Sequence, residues 1–237
     1  MSRADGRPAN QLRPVKIVRR YGEFAAGSVL LSMGKTRVLC TASIEEDVPR
    51  WMKSEATPPI RGWVTAEYGM LPGATPQRKR RGEDSRAVEI RRLIGRSLRA
   101  AVNLDRLGPR TIWIDCDVLQ ADGGTRTAAI TGGYVALADA VALLLKRGLL
   151  RRSPIRGPVA AVSVGLVDGR VLLDLDYSED SRAEVDLNLV MARGGRFVEV
   201  QGTGEGATFT GTQLQSMIRL GRAGILKLMA AQRAALK

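Results

Sequence analysis

An α+β fold of two related halves is predicted by three features of this 237-residue chain. Runs that alternate apolar and polar residues, as half-buried strands do, recur in both halves. In each half such strands are followed by a long helical pattern. Between the halves lies a short basic connector, Gly148 to Pro158, punctuated by glycine and proline.

The elements follow in order. Residues 1–14 are polar and read as a loosely held arm. From Val15 to Ile44 the pattern is a β meander, with Ser28-Val29-Leu30-Leu31 and Arg37-Val38-Leu39-Cys40-Thr41-Ala42 flanking a turn near Met33-Gly34. Residues 45–82 hold five prolines and several glycines and read mostly as loop. Gly82-Glu83-Asp84-Ser85 opens a helix, with acids where the dipole favours them, and apolar spacing carries it to about Asn103. After a break at Gly108-Pro109, residues 111–119 alternate as a strand, and Ala128 to Lys146 reads as a buried helix. The second half opens with Val159 to Val167. Asp168-Gly169 then signals a hairpin, and Arg170 to Asp176 is its return strand. Glu184 to Val190 alternates again, Gly194-Gly195 turns into Arg196 to Val200, and a final helix spans about Thr212 to Ala235. The N-terminal half is therefore about 10–147, the connector about 148–158 and the C-terminal half about 159–237, all within one domain. No residue-level repeat accompanies this architectural one.

Composition narrows the chemistry. Lys and Arg total 37 against 24 Asp and Glu, a balance that serves solubility or a polyanionic partner. The only cysteines, Cys40 and Cys116, have no zinc or disulfide spacing and are expected in the core of a protein from a reducing compartment. No apolar run approaches a transmembrane length and the first residues lack a signal-type apolar stretch, so the expected location is cytoplasmic, away from membranes. Histidine is absent, which excludes His-based triads, His-ligated zinc and imidazole acid–base catalysis. Carboxylates, Arg and Lys, hydroxyls, backbone dipoles or a hard metal ion remain.

The most informative segment is Asp122-Gly123-Gly124-Thr125-Arg126-Thr127. A glycine-rich turn opening a helix aims unpaired N–H groups, at the positive end of the helix dipole, toward one point. Thr125 adds a hydroxyl and Arg126 a planar, permanently charged fork. The arrangement suits phosphate, although Gly-Gly also serves as a plain tight turn. Asp180 falls in a loop and Asp186 on the polar face of the next strand, so a reversal can bring them together. Paired carboxylates on a basic protein suit Mg²⁺ or Mn²⁺, and the same spacing also fits solvated or salt-bridged surface acids. Arg78-Lys79-Arg80-Arg81 is a basic run that fits either a solvated loop or a contact with a polyanionic partner. Asp115 and Asp117 share a strand face and read as structural ion-pair partners rather than metal ligands. Ser32-Met33-Gly34-Lys35-Thr36 ends like a P-loop but has Val29 where the first glycine belongs, and Gly202 to Ala207 has the wrong spacing for a dinucleotide loop.

Taken jointly, Arg86, Gly124-Thr125-Arg126, Glu179-Asp180-Ser181 and Val185-Asp186-Leu187-Asn188 resemble the bacterial ribonuclease PH family. Arg3-Ala4-Asp5-Gly6-Arg7, Arg61 to Tyr68 and Glu199-Val200-Gln201-Gly202-Thr203 match as well, so the resemblance runs along essentially the whole chain. It implies a ribosomal protein S5 domain 2-like fold and a phosphorolytic 3′→5′ exoribonuclease, a tRNA nucleotidyltransferase trimming the 3′ ends of tRNA precursors. It implies a homo-oligomeric, hexameric ring, a trimer of dimers. It also implies phosphate binding by the residues at Arg86, Gly124, Thr125 and Arg126, with Asp180 and Asp186 beside the metal or the scissile bond. The expected catalytic set is Asp180, Asp186 and Arg126, with Mg²⁺ or Mn²⁺ on the two acids and inorganic phosphate as co-substrate. Arg78, Lys79, Arg80 and Arg81 are the expected RNA clamp. Two alternatives are a non-catalytic RNA-binding ring subunit, which would lack the complete site, and a hydrolytic nuclease, which would release nucleoside monophosphates.

Overall fold

The computed structural model describes residues 3–53, 60–80, 82 and 85–237. Strands β1 (Val15–Arg19), β2 (Gly27–Met33) and β3 (Thr36–Glu45) form the expected meander. They are followed by β4 (Trp63–Met70), helices α1 (Ser85–Ala100) and α2 (Leu104–Leu107), β5 (Thr111–Gln120) and α3 (Thr125–Lys146). The second half holds β6 (Val159–Val167), β7 (Arg170–Leu173), α4 (Tyr177–Asp180), β8 (Val185–Ala192), β9 (Arg196–Gly204) and α5 (Gly211–Leu236). The first sheet has the order β1-β2-β3-β5-β4 and the second β7-β6-β8-β9.

Helix α3 contacts β2 and β3 of the first sheet and β6 of the second, while α1 covers β4 and α5 lies on β6, β7 and β8. The main hydrophobic core therefore runs through both halves, from Leu31 and Ile114 to Leu187 and Ile225, with a small second cluster of Val167, Leu172, Leu175 and Ala183 beside it. Each fully buried Leu or Ile contributes about 1.5–3 kcal/mol relative to exposure. By length and composition α3 is apolar enough to cross a membrane, contrary to the expectation from the sequence, yet most of it is buried inside the protein. A helix apolar on all sides belongs in the centre of a two-sheet structure. Cys40 and Cys116 face each other across β3 and β5 with their sulfurs 3.8 Å apart, both buried beneath α3.

Three segments differ from the sequence reading. Within residues 45–82, β4 pairs in parallel with β5 at the sheet edge, Glu67 opposite Asp115. Its inward residues Val64, Ala66 and Tyr68 do alternate, but the surrounding prolines disguise so short a run. The return strand β7 stops at Leu173 because Asp174 adopts a left-handed conformation, φ 55°, and turns the chain out of the sheet. The greatest difference is the arm. Arg3, Arg7 and Arg13 are buried. Arg3 grips Glu179 through two bonds of 2.7 and 2.6 Å, and Arg13 donates to Asp174 Oδ1 at 2.7 Å. Buried pairs of this kind cost about 3–5 kcal/mol when one partner alone is removed. Polar composition does not reveal which arginines find acids elsewhere in the fold.

Candidate active site

The phosphate-type turn and the paired acids meet in one cleft of about 550 Å³, lined among others by Arg86, Gly123, Gly124, Thr125, Arg126, Asp180, Asp186 and Asn188. The turn comes from the junction of β5 and α3. Gly123 and Gly124 have φ of +73° and +63°, a region costly for side-chain-bearing residues. A Cβ on Gly123 would lie 2.6 Å from the Leu175 carbonyl oxygen, so glycine is also required by the close approach of the segment leading into α4. The N-cap of α3 is Gly124, and among the described residues no side chain caps the helix start. Its first N–H groups are thus left for an external acceptor.

The side chains around the turn are held from behind. Tyr68 donates its hydroxyl hydrogen to Thr125 Oγ1 at 2.8 Å, and Thr127 donates to the Gly124 carbonyl at 2.9 Å. Arg126 donates to Gln201 Oε1 at 3.1 Å and lies 3.5 Å from Glu89, while Gln201 donates to Glu89 at 3.0 Å. The guanidinium therefore lies at the cleft wall, braced between α1 and β9. Arg86, in the first turn of α1, lies exposed on the same cleft.

The acids come from the second sheet. Asp180 ends α4, a single turn fixed by a capping box between Asp176 and Glu179. Asp186 lies on β8 opposite Thr203 of β9. Burial raises the Asp180 carboxyl above its ordinary range, against the pull of Arg86, Arg126 and Arg13. Burial, then the neighbouring Asp180 charge, pushes Asp186 to about 6, although the Asn188 hydrogen bond and Arg126 act the other way. Asp186 Oδ2 accepts from Asn188 Nδ2 at 2.9 Å, whereas Oδ1 is buried with no hydrogen-bond partner among the described residues. A buried, partnerless carboxylate oxygen beside a second carboxylate suits a hard divalent cation. Among the described residues no group of three or more acidic, Cys or His side chains forms a metal cage. Two carboxylates would leave the remaining positions to water and phosphate oxygens, the usual state of bound Mg²⁺.

Of the basic run, Arg78 and Lys79 line this cleft. Arg80 lines an adjoining cavity of about 420 Å³ that also touches Lys79, Arg86 and Arg91. Arg81 lies outside the described residues. Asp115 and Asp117 are on the first sheet, away from the cleft, and among the described residues neither has an ion pair. Burial raises both, and Asp117 and Glu67 raise Asp115 further. The ion pair forms instead between Glu67 and Arg91, at 2.9 Å. The P-loop-like Gly34-Lys35-Thr36 is the β2–β3 turn, and Thr36 serves as a buttress: its hydroxyl donates to the Gly123 carbonyl at 2.7 Å and accepts from the Asp122 N–H at 3.0 Å. Arg13, Thr36, Tyr68 and Gln201 were not singled out as site residues from the sequence, because they lie far from the glycine turn in the chain. Asn188 is only two residues from Asp186, on the same face of its strand, and the fold shows that its amide holds the carboxylate.

Fold and cleft together define a two-sheet α+β protein in which a glycine-rich helix start and paired acids share one cleft. Residues 11–142 match the 3′ exoribonuclease family, domain 1, and residues 157–224 match domain 2 of that family. The chain belongs to this family. It is 59% identical to ribonuclease PH of Corynebacterium glutamicum (strain R) over 240 residues, covering 99% of this chain and 96% of that protein. Ribonuclease PH of Corynebacterium efficiens is 57% identical over the same coverage. Among solved structures, rice Rrp46 superposes with a TM-score of 0.80 at 22% identity, covering 99% of this chain and all of that one. The Archaeoglobus fulgidus exosome with RNA bound to the active site gives 0.84 at 23%, covering 97% of this chain and 92% of that one. These last two likenesses concern the fold.

Proposed function

We infer that the protein is a phosphorolytic 3′→5′ exoribonuclease that passes the terminal nucleotide of an RNA to inorganic phosphate. The observation that carries this reading is the shared cleft: an uncapped helix start and two arginines, Arg86 and Arg126, face Asp180 and Asp186. A site built for water as nucleophile has no need of such an anion pocket, and a non-catalytic ring subunit has no need of the acids. The near-complete match to ribonuclease PH relatives supports the same reading.

The chemistry suits a chain without histidine. Phosphate has a relevant pKa of roughly 6–7, like a phosphomonoester, and is largely dianionic at neutral pH. It needs no general base. The obstacle is the approach of two anions in line. Arg86, Arg126 and the N–H groups of Gly124 and Thr125 would neutralise and aim the nucleophile. Bound at Asp180 and Asp186, Mg²⁺ or Mn²⁺ would supply charge stabilisation to the transferring phosphoryl oxygens and the departing 3′ oxygen. A nucleoside diphosphate and an RNA one nucleotide shorter are released, and the reaction is reversible because the bond energy is retained.

We assign Arg78, Lys79, Arg80 and Arg81 to the RNA backbone outside the chemical step, and tRNA precursors as the substrate that uses this clamp. The assembly is a hexameric ring, a trimer of dimers. The deciding experiment incubates 3′-extended tRNA with the protein, with and without phosphate, and identifies the released nucleotide. Nucleoside diphosphates formed only with phosphate are expected. Monophosphates formed in its absence would reassign the protein as a hydrolase, and a sizing measurement alongside reads the ring.

A further inference from the structure

We propose that Arg13 is a positioning residue that turns the amides of the phosphate turn toward the cleft. This rests on the phosphorolytic reading of the site. The Arg13 guanidinium donates through Nη1 to the Asp122 carbonyl and through Nη2 to the Gly123 carbonyl at 3.4 Å. Thr36 holds the same Gly123 carbonyl from another direction at 2.7 Å. Across a planar trans peptide the C=O and the following N–H point in opposite directions. Tying the Asp122 and Gly123 carbonyls inward therefore turns the N–H groups of Gly123 and Gly124 outward, and both glycines line the cleft.

Arg13 can do this only because its own position is fixed. Its backbone N–H donates to Asp174 Oδ2 at 2.8 Å and its Nη2 to Asp174 Oδ1 at 2.7 Å, and Asp174 is fully buried. The Asp174 carbonyl in turn accepts from Arg3 at 3.0 Å and Arg7 at 3.2 Å. Arg3 also grips Glu179, the residue before Asp180. One buried network thus reaches both the oxyanion turn and the acid-bearing helix, and Arg13 is its contact with the turn. Arg13 itself does not line the cleft.

The test compares Arg13→Lys, which keeps a cation beside Asp174 but loses the fork spanning two carbonyls, with Thr36→Val, which removes the second tether without changing charge. Phosphorolysis of a short oligoribonucleotide is measured across a phosphate series and, separately, an RNA series, with melting temperature recorded for each variant. A misplacement of about 1 Å costs on the order of 100-fold in an oriented reaction. The expected outcome is a rise in KM for phosphate of roughly 10- to 100-fold in Arg13→Lys, a smaller rise in the same sense for Thr36→Val, and an unchanged KM for RNA. A merely structural Arg13 would lower melting temperature and active fraction while leaving KM for phosphate at the wild-type value, and that result overturns the proposal. Should Arg13→Lys fail to fold, Arg13→Gln, shorter but still a planar N–H donor, is read by the same comparison of KM for phosphate with KM for RNA. A wild-type protein indifferent to phosphate would instead sink the phosphorolytic reading, with Arg13 and Thr36 never entering the comparison.

Discussion

Replacing Asp186 by Asn should make the protein more stable while disabling it. The side chain is half-buried, its enclosed Oδ1 has no hydrogen-bond partner among the described residues, and the carboxyl is pushed to about 6 from an ordinary 3.8. At about 1.4 kcal/mol per pKa unit, that gap makes the ionised group a burden of about 3 kcal/mol to the metal-free fold. The sign follows from proton binding. Between those two values the folded protein keeps a proton that the unfolded chain has lost, so stability falls as pH rises through the window. Below it the burden is absent, and above it the burden is complete. Asp186→Asn is neutral at every pH and should therefore exceed wild type by up to about 3 kcal/mol at pH 8, an advantage that disappears near pH 4. For a chain of this size the gain corresponds to roughly 6–12 °C in melting temperature. Urea or thermal melts from pH 4 to 8 in chelator measure it. Adding Mg²⁺ at pH 8 should restore stability to wild type and not to the variant, while the variant loses phosphorolysis. Equal stability at pH 8 with the same pH dependence would refute the claim that this carboxylate is held at a cost for a cation.

Other outcomes follow from the same geometry. Arg126→Ala should lower phosphate-dependent turnover by about 100- to 1,000-fold and leave RNA affinity and melting temperature nearly intact, read by steady-state kinetics and a binding titration. Gly123→Ala places a methyl 2.6 Å from the Leu175 carbonyl at a φ of +73°; it should destabilise the protein by about 2 kcal/mol or more and raise KM for phosphate, read by denaturation and kinetics. Alanine at Arg78, Lys79 and Arg80 together should weaken trimming of 3′-extended tRNA more than turnover of a short homopolymer. It should also flatten the salt dependence of tRNA binding by roughly 2–3 in log–log slope.

Much of this fold was legible in the linear chain because its signals are local. The period-two runs at β3, β5 and β8, the continuous apolar run of β6, the Asp168-Gly169 turn and the long apolar pattern of α3 each declare themselves locally. The edge strand β4 did not, since a parallel strand is stabilised by a partner more than forty residues away and its own run lies among prolines that read as loop. The site divides along the same line. Gly124-Thr125-Arg126 is a contiguous motif whose physics is that of a helix start. Asp180 and Asp186 were visible as a pair, but whether they met each other or solvent depended on the α4 turn and its capping box.

From the order of its residues alone came the α+β plan, the lack of any imidazole chemistry and a glycine-rich turn at a helix start, a place suited to an anion. Only the tertiary structure decided that Arg3, Arg7 and Arg13 of the polar arm are buried against Asp174 and Glu179, with Arg13 reaching the Asp122 and Gly123 carbonyls, and that burial beside Asp180 lifts Asp186. Backbone conformation and periodicity are set by neighbours in the chain, whereas ion-pair choice and desolvation are set by whatever else folding brings within a few ångströms.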